Sequence, residues 1–323
     1  MELKRPGAAL LVLLCMQAMP EAAACINPPS DYKGRVDQSA QAAIVFFDGT
    51  REELILNASY KVTQGEQPKS LAWIIPVPSL PDHYAVESAR LFPELQRKMK
   101  PQRKRRALRG MNERRIHLRE AERIGEYIVQ PIGVSGVEAG IALNAWLKEN
   151  QFTQVPESNM RYYLERKYTF LAIRVDPVKR LKSLGQDGEL RPLRISFKTD
   201  SLVYPIKFSS HQGQFDLTLY TVTPDEIIIP GPVGSNRFHE EFGLRRRVIR
   251  PLKLSAGNAH GMPALISLWS KIVSEKRMTF NRAWITRFDG PMMNRSTNPL
   301  KDWPRDITLF MALKPWAPFG FLR

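Results

Sequence analysis

The sequence predicts an α+β fold: an antiparallel, β-rich domain with two or more helices inserted between two groups of strands. Three observations predict it. Residues alternate in polarity early and again late in the chain, apolar residues take helical spacing in the middle, and turn signals keep the strands short.

A leader precedes the domain, in residues 1–24. Lys4 and Arg5 supply a positive end, Gly7–Leu14 a short apolar run, and Pro20 a break. Ala22-Ala23-Ala24 then offers the small residues of a signal-peptidase site. Crossing a bilayer takes about 20 apolar residues, so the run reads as a signal peptide. No later stretch is long and apolar enough to span. The expectation is export, to the periplasm or outside the cell, with no transmembrane segment in the mature chain. Cleavage after Ala24 makes Cys25 the first mature residue, either a plain soluble start or a point of lipid attachment. Cys15 leaves with the signal, so no internal disulfide is expected and an ordinary core must hold the fold.

Asn27–Asp37 reads as a turn-rich lead-in, and Ala43–Phe47 as an apolar strand ending at the turn dipeptide Asp48-Gly49. Leu54, Leu56, Ala58, Tyr60 and Val62 alternate with Ile55, Asn57, Ser59 and Lys61, the period of a half-buried strand. Leu71–Ile75 is a third strand, closed by Pro76-Val77-Pro78 because proline cannot donate to a ladder. Three strands in succession suggest an antiparallel meander.

In the helical centre, Ser135 and Glu138 have the spacing of a capping box, and Ala139, Ala142, Leu143, Trp146 and Leu147 form one stripe. Pro156 opens a second helix with Met160, Tyr163 and Leu164 on one face. Strands resume with Thr169–Val175, then Leu193, Ile195 and Phe197, then Leu202, Tyr204, Ile206 and Phe208, then Phe215, Leu217 and Leu219. Gly185, Gly188, Asp200-Ser201 and Gly213 separate them. Beyond Pro224 the pattern weakens. Gly231–Arg250 reads as a basic loop, Leu265–Val273 as a helix, and Ala283–Phe288 and Ile307–Leu313 as closing strands. The expected division is a signal peptide 1–24, an α+β domain 25–235, and a carboxy-terminal extension 236–323 completing the same domain.

The chain is 43% hydrophobic, as globular proteins are, and its formal charge of +16 is unevenly placed. Gln96–Arg123 holds twelve Lys or Arg against Glu113, Glu120 and Glu122, a net of +9. Pro101 and Gly110 interrupt any helix in its first half, while Met111–Ile124 spaces apolar residues weakly enough to allow a helix with a basic face. The segment is read either as a solvated insert or as an electrostatic contact for a polyanion. In the second reading Arg103, Lys104, Arg105, Arg106, Arg109, Arg114 and Arg115 meet anionic lipid, lipopolysaccharide or another acidic envelope polymer. Nucleic acid is not expected as a partner, since no recognised nucleic-acid module surrounds the run.

No catalytic, cofactor or metal site is legible. Ser135 lacks the G-x-S-x-G spacing of a nucleophile elbow, and His239-Glu240-Glu241 has Gly243 where a zinc protease needs its second His. His83, His117, His211, His239 and His260 make no i, i+4 pair for a metal. Gly231–Ser235 has no Lys in P-loop register. Asp37 has no partner for acid–base work and reads as a cap or turn residue. Trp73, Trp146 and Phe170 read as core.

Cys25, Val36-Asp37-Gln38 and above all Ala72-Trp73-Ile74-Ile75-Pro76-Val77-Pro78 resemble the bacterial exported domain-of-unknown-function family 2330. The resemblance continues through Ala145-Trp146-Leu147, Tyr168-Thr169-Phe170-Leu171-Ala172, Leu190–Arg194, Tyr204-Pro205-Ile206 and Asp216–Tyr220, covering Cys25 to about Val222. It implies export and no particular activity. Members commonly follow the first Cys with glycines and a second Cys, whereas Ile26-Asn27-Pro28-Pro29 stands here, so no cystine-based role is implied. The expected function is a non-enzymatic, cell-envelope binding or structural module, its basic segment against anionic envelope components. The alternative is a secreted or periplasmic hydrolase whose site gathers distant residues, Asp37 with one of the histidines.

Overall fold

A computed structural model describes residues 26–99, 122–124, 126–133, 136–176, 187–209, 215–228, 244–254, 261–280, 282–292 and 306–311. A large sheet runs in the order β14 (Arg245–Lys253), β15 (Arg282–Met292), β12 (Phe215–Thr223), β2 (Arg35–Phe47), β3 (Arg51–Gln64), β10 (Leu193–Lys198), β5 (His83–Val86), with β9 (Asp187–Glu189) also on β3. Every pairing in it is antiparallel except β2 with β12. A second sheet runs β1 (Ile26–Asn27), β4 (Leu71–Val77), β8 (Thr169–Val175), β7 (Tyr127–Ile132), β6 (Glu122–Ile124). A third joins β11 (Leu202–Tyr204), β16 (Ile307–Met311) and β13 (Ile227–Ile228). The fold is α+β, as the alternating and helical periods predict.

Two cores explain the burial pattern. Ala43, Val45, Phe47, Leu54 and Leu56 of the large sheet join Trp73, Ile75, Phe170 and Ile173 of the second sheet in one cluster. Leu143 and Leu147 of α2 (Val137–Glu149) and Met160 and Tyr163 of α3 (Glu157–Glu165) complete it. On the opposite face of the large sheet Ile44, Phe46, Ile55, Val222 and Ile285 meet a second cluster. Its other members include Leu91 and Leu95 of α1 (Leu91–Met99) and Leu265, Trp269 and Ile272 of α4 (Pro263–Ser274). Phe46 stacks on Trp269 with centroids 5.8 Å apart. Glu94 of α1 accepts from the Ala264 N–H at 2.8 Å, placing a carboxylate on a free donor at the start of α4.

The large sheet is thus covered on both faces. For this reason Ala43–Phe47 is a continuous apolar run, and β3 is buried on both faces from Glu52 to Ala58 and alternates only beyond.

Several expectations are corrected. The lead-in to Asp37 contains β1 and the start of β2, a strand whose first half is too polar to announce itself. The meander stops after β3, because β4 crosses to the second sheet. That strand also runs through Pro76, where β1, opposing only Ala72 and Trp73, leaves one side without a ladder. Helix α2 starts at Val137 behind Gly136 (φ +69°), which supplies no side-chain cap; the capping-box reading rests on Ser135, which lies outside the described residues. Pro205 ends β11 at Tyr204, and Lys207–Ser209 turns as a 3-10 helix. Residues 96–99 belong to α1 and 122–124 to a strand, so what remains of the basic segment, 100–121, lies outside the described residues. Finally, Arg245–Arg250 is strand and not loop.

Candidate functional site

On β10, Leu193, Ile195 and Phe197 point into the first core, so Arg194 and Ser196 face the helices. There Ser196 sits directly between His83 of β5 and Glu53 of β3. The Arg194 guanidinium, 0% exposed, donates to Glu87 at 2.9 Å, to Glu53 at 3.1 Å and to both oxygens of Glu275 at 2.9 and 3.1 Å. Ser196 Oγ donates to Glu53, and Lys271 of α4 donates to Glu87 at 2.9 Å. At the rim Asp82 takes Arg51 at 2.6 and 2.9 Å and Arg277 at 2.6 Å. Four cations therefore meet four carboxylates, which is what permits an arginine this deep.

The protonation states follow. Burial works against the Arg194 charge, but Glu275, Glu87 and Glu53 outweigh it and hold its pKa above the ordinary value. Burial raises Glu53, with Arg194 and Ser196 opposing. Burial and the charges of Arg194 and Arg277 push His83 down to about 4. Its Nε2 lies 2.9 Å from Arg194 Nη2, and a guanidinium has no acceptor, so the ring is neutral with its proton on Nδ1. An imidazole so occupied is no general base; the cluster ties the sheet to α4.

A second buried constellation surrounds Asp306, just before β16. Its Oδ1 accepts from Tyr163 at 2.6 Å and from the Lys207 N–H at 3.0 Å, while Tyr163 Oη accepts from the Phe208 N–H at 2.8 Å. Burial raises Asp306 to about 7 against the pull of Tyr163, Lys207 and Arg166. Near it Glu52, fully buried and pushed well up by burial, accepts from the Val203 N–H at 3.0 Å. Both carboxyls pin the third sheet to the body.

A cleft of about 340 Å³, its open mouth included, lies beside β2, β3 and β4. Gln41, Asn57, Trp73, Pro76, Tyr204 and Ser209 help line it, and no charged side chain does. Its polar groups satisfy one another: Tyr204 donates to Gln41, and Gln41 donates to Ser209 at 2.9 Å. Asn57 donates to the Leu190 carbonyl at 2.5 Å. Ser209 accepts from the Gln41 amide, and the uncharged lining suits a neutral group.

A sequence profile for uncharacterized proteins conserved in bacteria (DUF2330) matches residues 19–230, well over half the chain. The chain belongs to this family. The DUF2330 match ends just after β13, so α4, with Lys271 and near it Glu275, lies beyond it and completes the Arg194 cluster from outside. A search of curated proteins found no match. Among solved structures, baculovirus P35 aligns at 10% identity over 87% of this chain and 98% of that one, with a TM-score of 0.37. A mutated baculovirus P35 after caspase cleavage aligns at 11% identity over 68% and 78%, with a TM-score of 0.36. Likeness at that level carries no argument about this DUF2330 protein.

Cys25, Arg103, Lys104, Arg105, Arg106, Arg109, Arg114 and Arg115 lie outside the described residues, as do His117, His211, His239 and His260. Asp37 lies on β2, where Arg35 donates to it at 2.8 Å and Thr63 at 3.0 Å; His83 is engaged by Arg194 instead. The structure thus does not bring Asp37 and His83 together. Trp73 and Phe170 are buried and Trp146 packs against the first core, as expected. Among the described residues no group of three or more His, Cys, Asp or Glu gathers as a metal site, and no helix is long and apolar enough to cross a membrane. Sequence reasoning missed the Arg194 cluster. Its one local sign is a charged residue inside the alternation of β10.

Proposed function

We propose that this DUF2330 member is an exported, non-catalytic module that binds anionic components of the cell envelope through its basic segment. The carrying observation is the charge of 96–123, net +9 in a chain of net +16. The folded body supports the reading in a second way. Its buried ions neutralise one another at Arg194, and the described lining of its cleft is uncharged, so neither calls for an ionic substrate. Its described flanks are α1, which ends at Met99, and β6, which opens at Glu122 on the edge of the second sheet. Attraction between it and an acidic surface is long-ranged at low salt and screened within about 10 Å at 0.1 M.

Replacing Arg103, Lys104, Arg105, Arg106, Arg109, Arg114 and Arg115 by Ser tests this. The variant should fold as the parent does and lose most attachment to isolated envelopes. Attachment equal to the parent's would remove the segment from the account.

A further inference from the structure

The cleft beside β2, β3 and β4 has one wall held differently from the rest. Gln41, Asn57 and Trp73 come from long strands of the two larger sheets. Tyr204 instead ends β11 of the third sheet, and Ser209 ends the 3-10 turn that follows it. Among the described residues β11 pairs with β16 alone, and no ladder joins either strand to the larger sheets. Side chains hold this wall to the body.

Two of those side chains are carboxyls. Glu52 of β3 accepts the Val203 N–H at 3.0 Å, one residue before Tyr204. Asp306 accepts the Lys207 N–H at 3.0 Å and the Tyr163 hydroxyl at 2.6 Å, and that hydroxyl accepts the Phe208 N–H at 2.8 Å. The turn that ends in Ser209 thus hangs on Asp306 both directly and through α3. Both carboxyls are fully buried, and each keeps one oxygen, Glu52 Oε1 and Asp306 Oδ2, without a hydrogen-bond partner among the described residues. Ionised, each would hold a charge in a dry place with an acceptor unanswered, which burial makes costly. An amide could make the same acceptor bonds at every pH; an acid makes them pH-dependent. Tyr162, Tyr163 and Arg166 face Asp306 from α3 and its end, and Lys207 from the turn. Burial outweighs the pull of Tyr163, Lys207 and Arg166 and leaves Asp306 at about 7. Burial, then the charges of Asp306, Tyr162 and Glu52, raise Tyr168 before β8, so it offers neither acid a counter-charge. Beside Glu52, the charge of Glu53 adds to burial in raising it.

We propose that Asp306 and Glu52 form a pH-operated latch on the cleft: as neutral acids they hold the Tyr204–Ser209 wall in place, and ionisation of Asp306 releases it. The latch goes beyond the polyanion reading and does not depend on it. Release parts Tyr204 and Ser209 from Gln41, which frees that amide for a neutral guest. The direction follows from the folded pKa of about 7, above the ordinary 3.8. Holding is full below pH 3.8 and is lost as pH rises through about 7.

Hydrogen exchange read by mass spectrometry tests this, on protein beginning at Cys25, from pH 5 to pH 9, each rate divided by the intrinsic rate at that pH. The Leu202–Ser209 amides should lose about tenfold in protection between pH 6 and pH 8 and level off above, as a pKa raised from 3.8 to about 7 requires. A local opening exposes little surface, so this exchange should depend weakly on added urea. Leu56–Ala58 in the opposite wall should be better protected and should exchange only through urea-sensitive global unfolding. Asp306→Asn should keep the protection of Leu202–Ser209 constant across the range. Exchange of Leu202–Ser209 that matches Leu56–Ala58 in rate and in urea dependence overturns the latch and leaves Asp306 a purely structural acid. Protection in the parent that ignores pH overturns it equally, whether or not the Asn variant folds. Either result leaves the proposed function standing.

Discussion

Replacing Arg194 by Ala would strip Glu53, Glu87 and Glu275 of their common partner while leaving Glu53 fully buried. Breaking such a pair costs about 3–5 kcal/mol, read as a lower denaturant midpoint, and adding Glu53→Gln should recover part of the loss. Nothing in the sequence spacing announced this cluster, because its members run from Arg51 to Arg277 and meet only when α4 covers the sheet. Polar positions in an alternating strand are expected in water, and here a helix takes the place of water. Asp306 gives a second test at this scale. Its folded pKa of about 7 lies above the ordinary 3.8, so the native state holds a proton that the unfolded chain releases. Its contribution to stability is full below pH 3.8 and is lost as pH rises to about 7. Asn mimics the protonated acid, so Asp306→Asn should gain in melting temperature over the parent between pH 5 and pH 8. A difference independent of pH would contradict the burial argument.

Among the elements, β9 shows how closely the sheets are fitted. A Cβ at Gly188 would fall within the ring of Tyr60, which is 1% exposed and held in the first core. Gly188→Ala should therefore cost about 1–3 kcal/mol, whereas Gly133→Ala, with nothing among the described residues near its added carbon, should melt with the parent. Elements with one covered face were legible: the far half of β3, α2 and α3 all show their period in sequence. Legibility failed where neighbours far along the chain decide the outcome. The polar start of β2 is a strand because β3 pairs with it from Arg35, β12 joining only from Ala40, and β4 changes sheet because β8 recruits it. Short α1, with Pro93 in its first turn, merged in sequence with the charge run that follows.

At the scale of the whole molecule, structure and charge divide the labour. The buried ions at Arg194 are matched cation to carboxylate, the described lining of the cleft is uncharged, and the basic segment holds +9 of the chain's +16. The central claim is that this surplus attaches the protein to anionic envelope material. Its most direct measurement mixes purified protein beginning at Cys25 with isolated cell envelopes and sediments them across a salt series. The account predicts that the protein pellets at low salt and is released as salt rises, because screening weakens exposed charge contacts. Protein that stays in the supernatant at every salt concentration would contradict it.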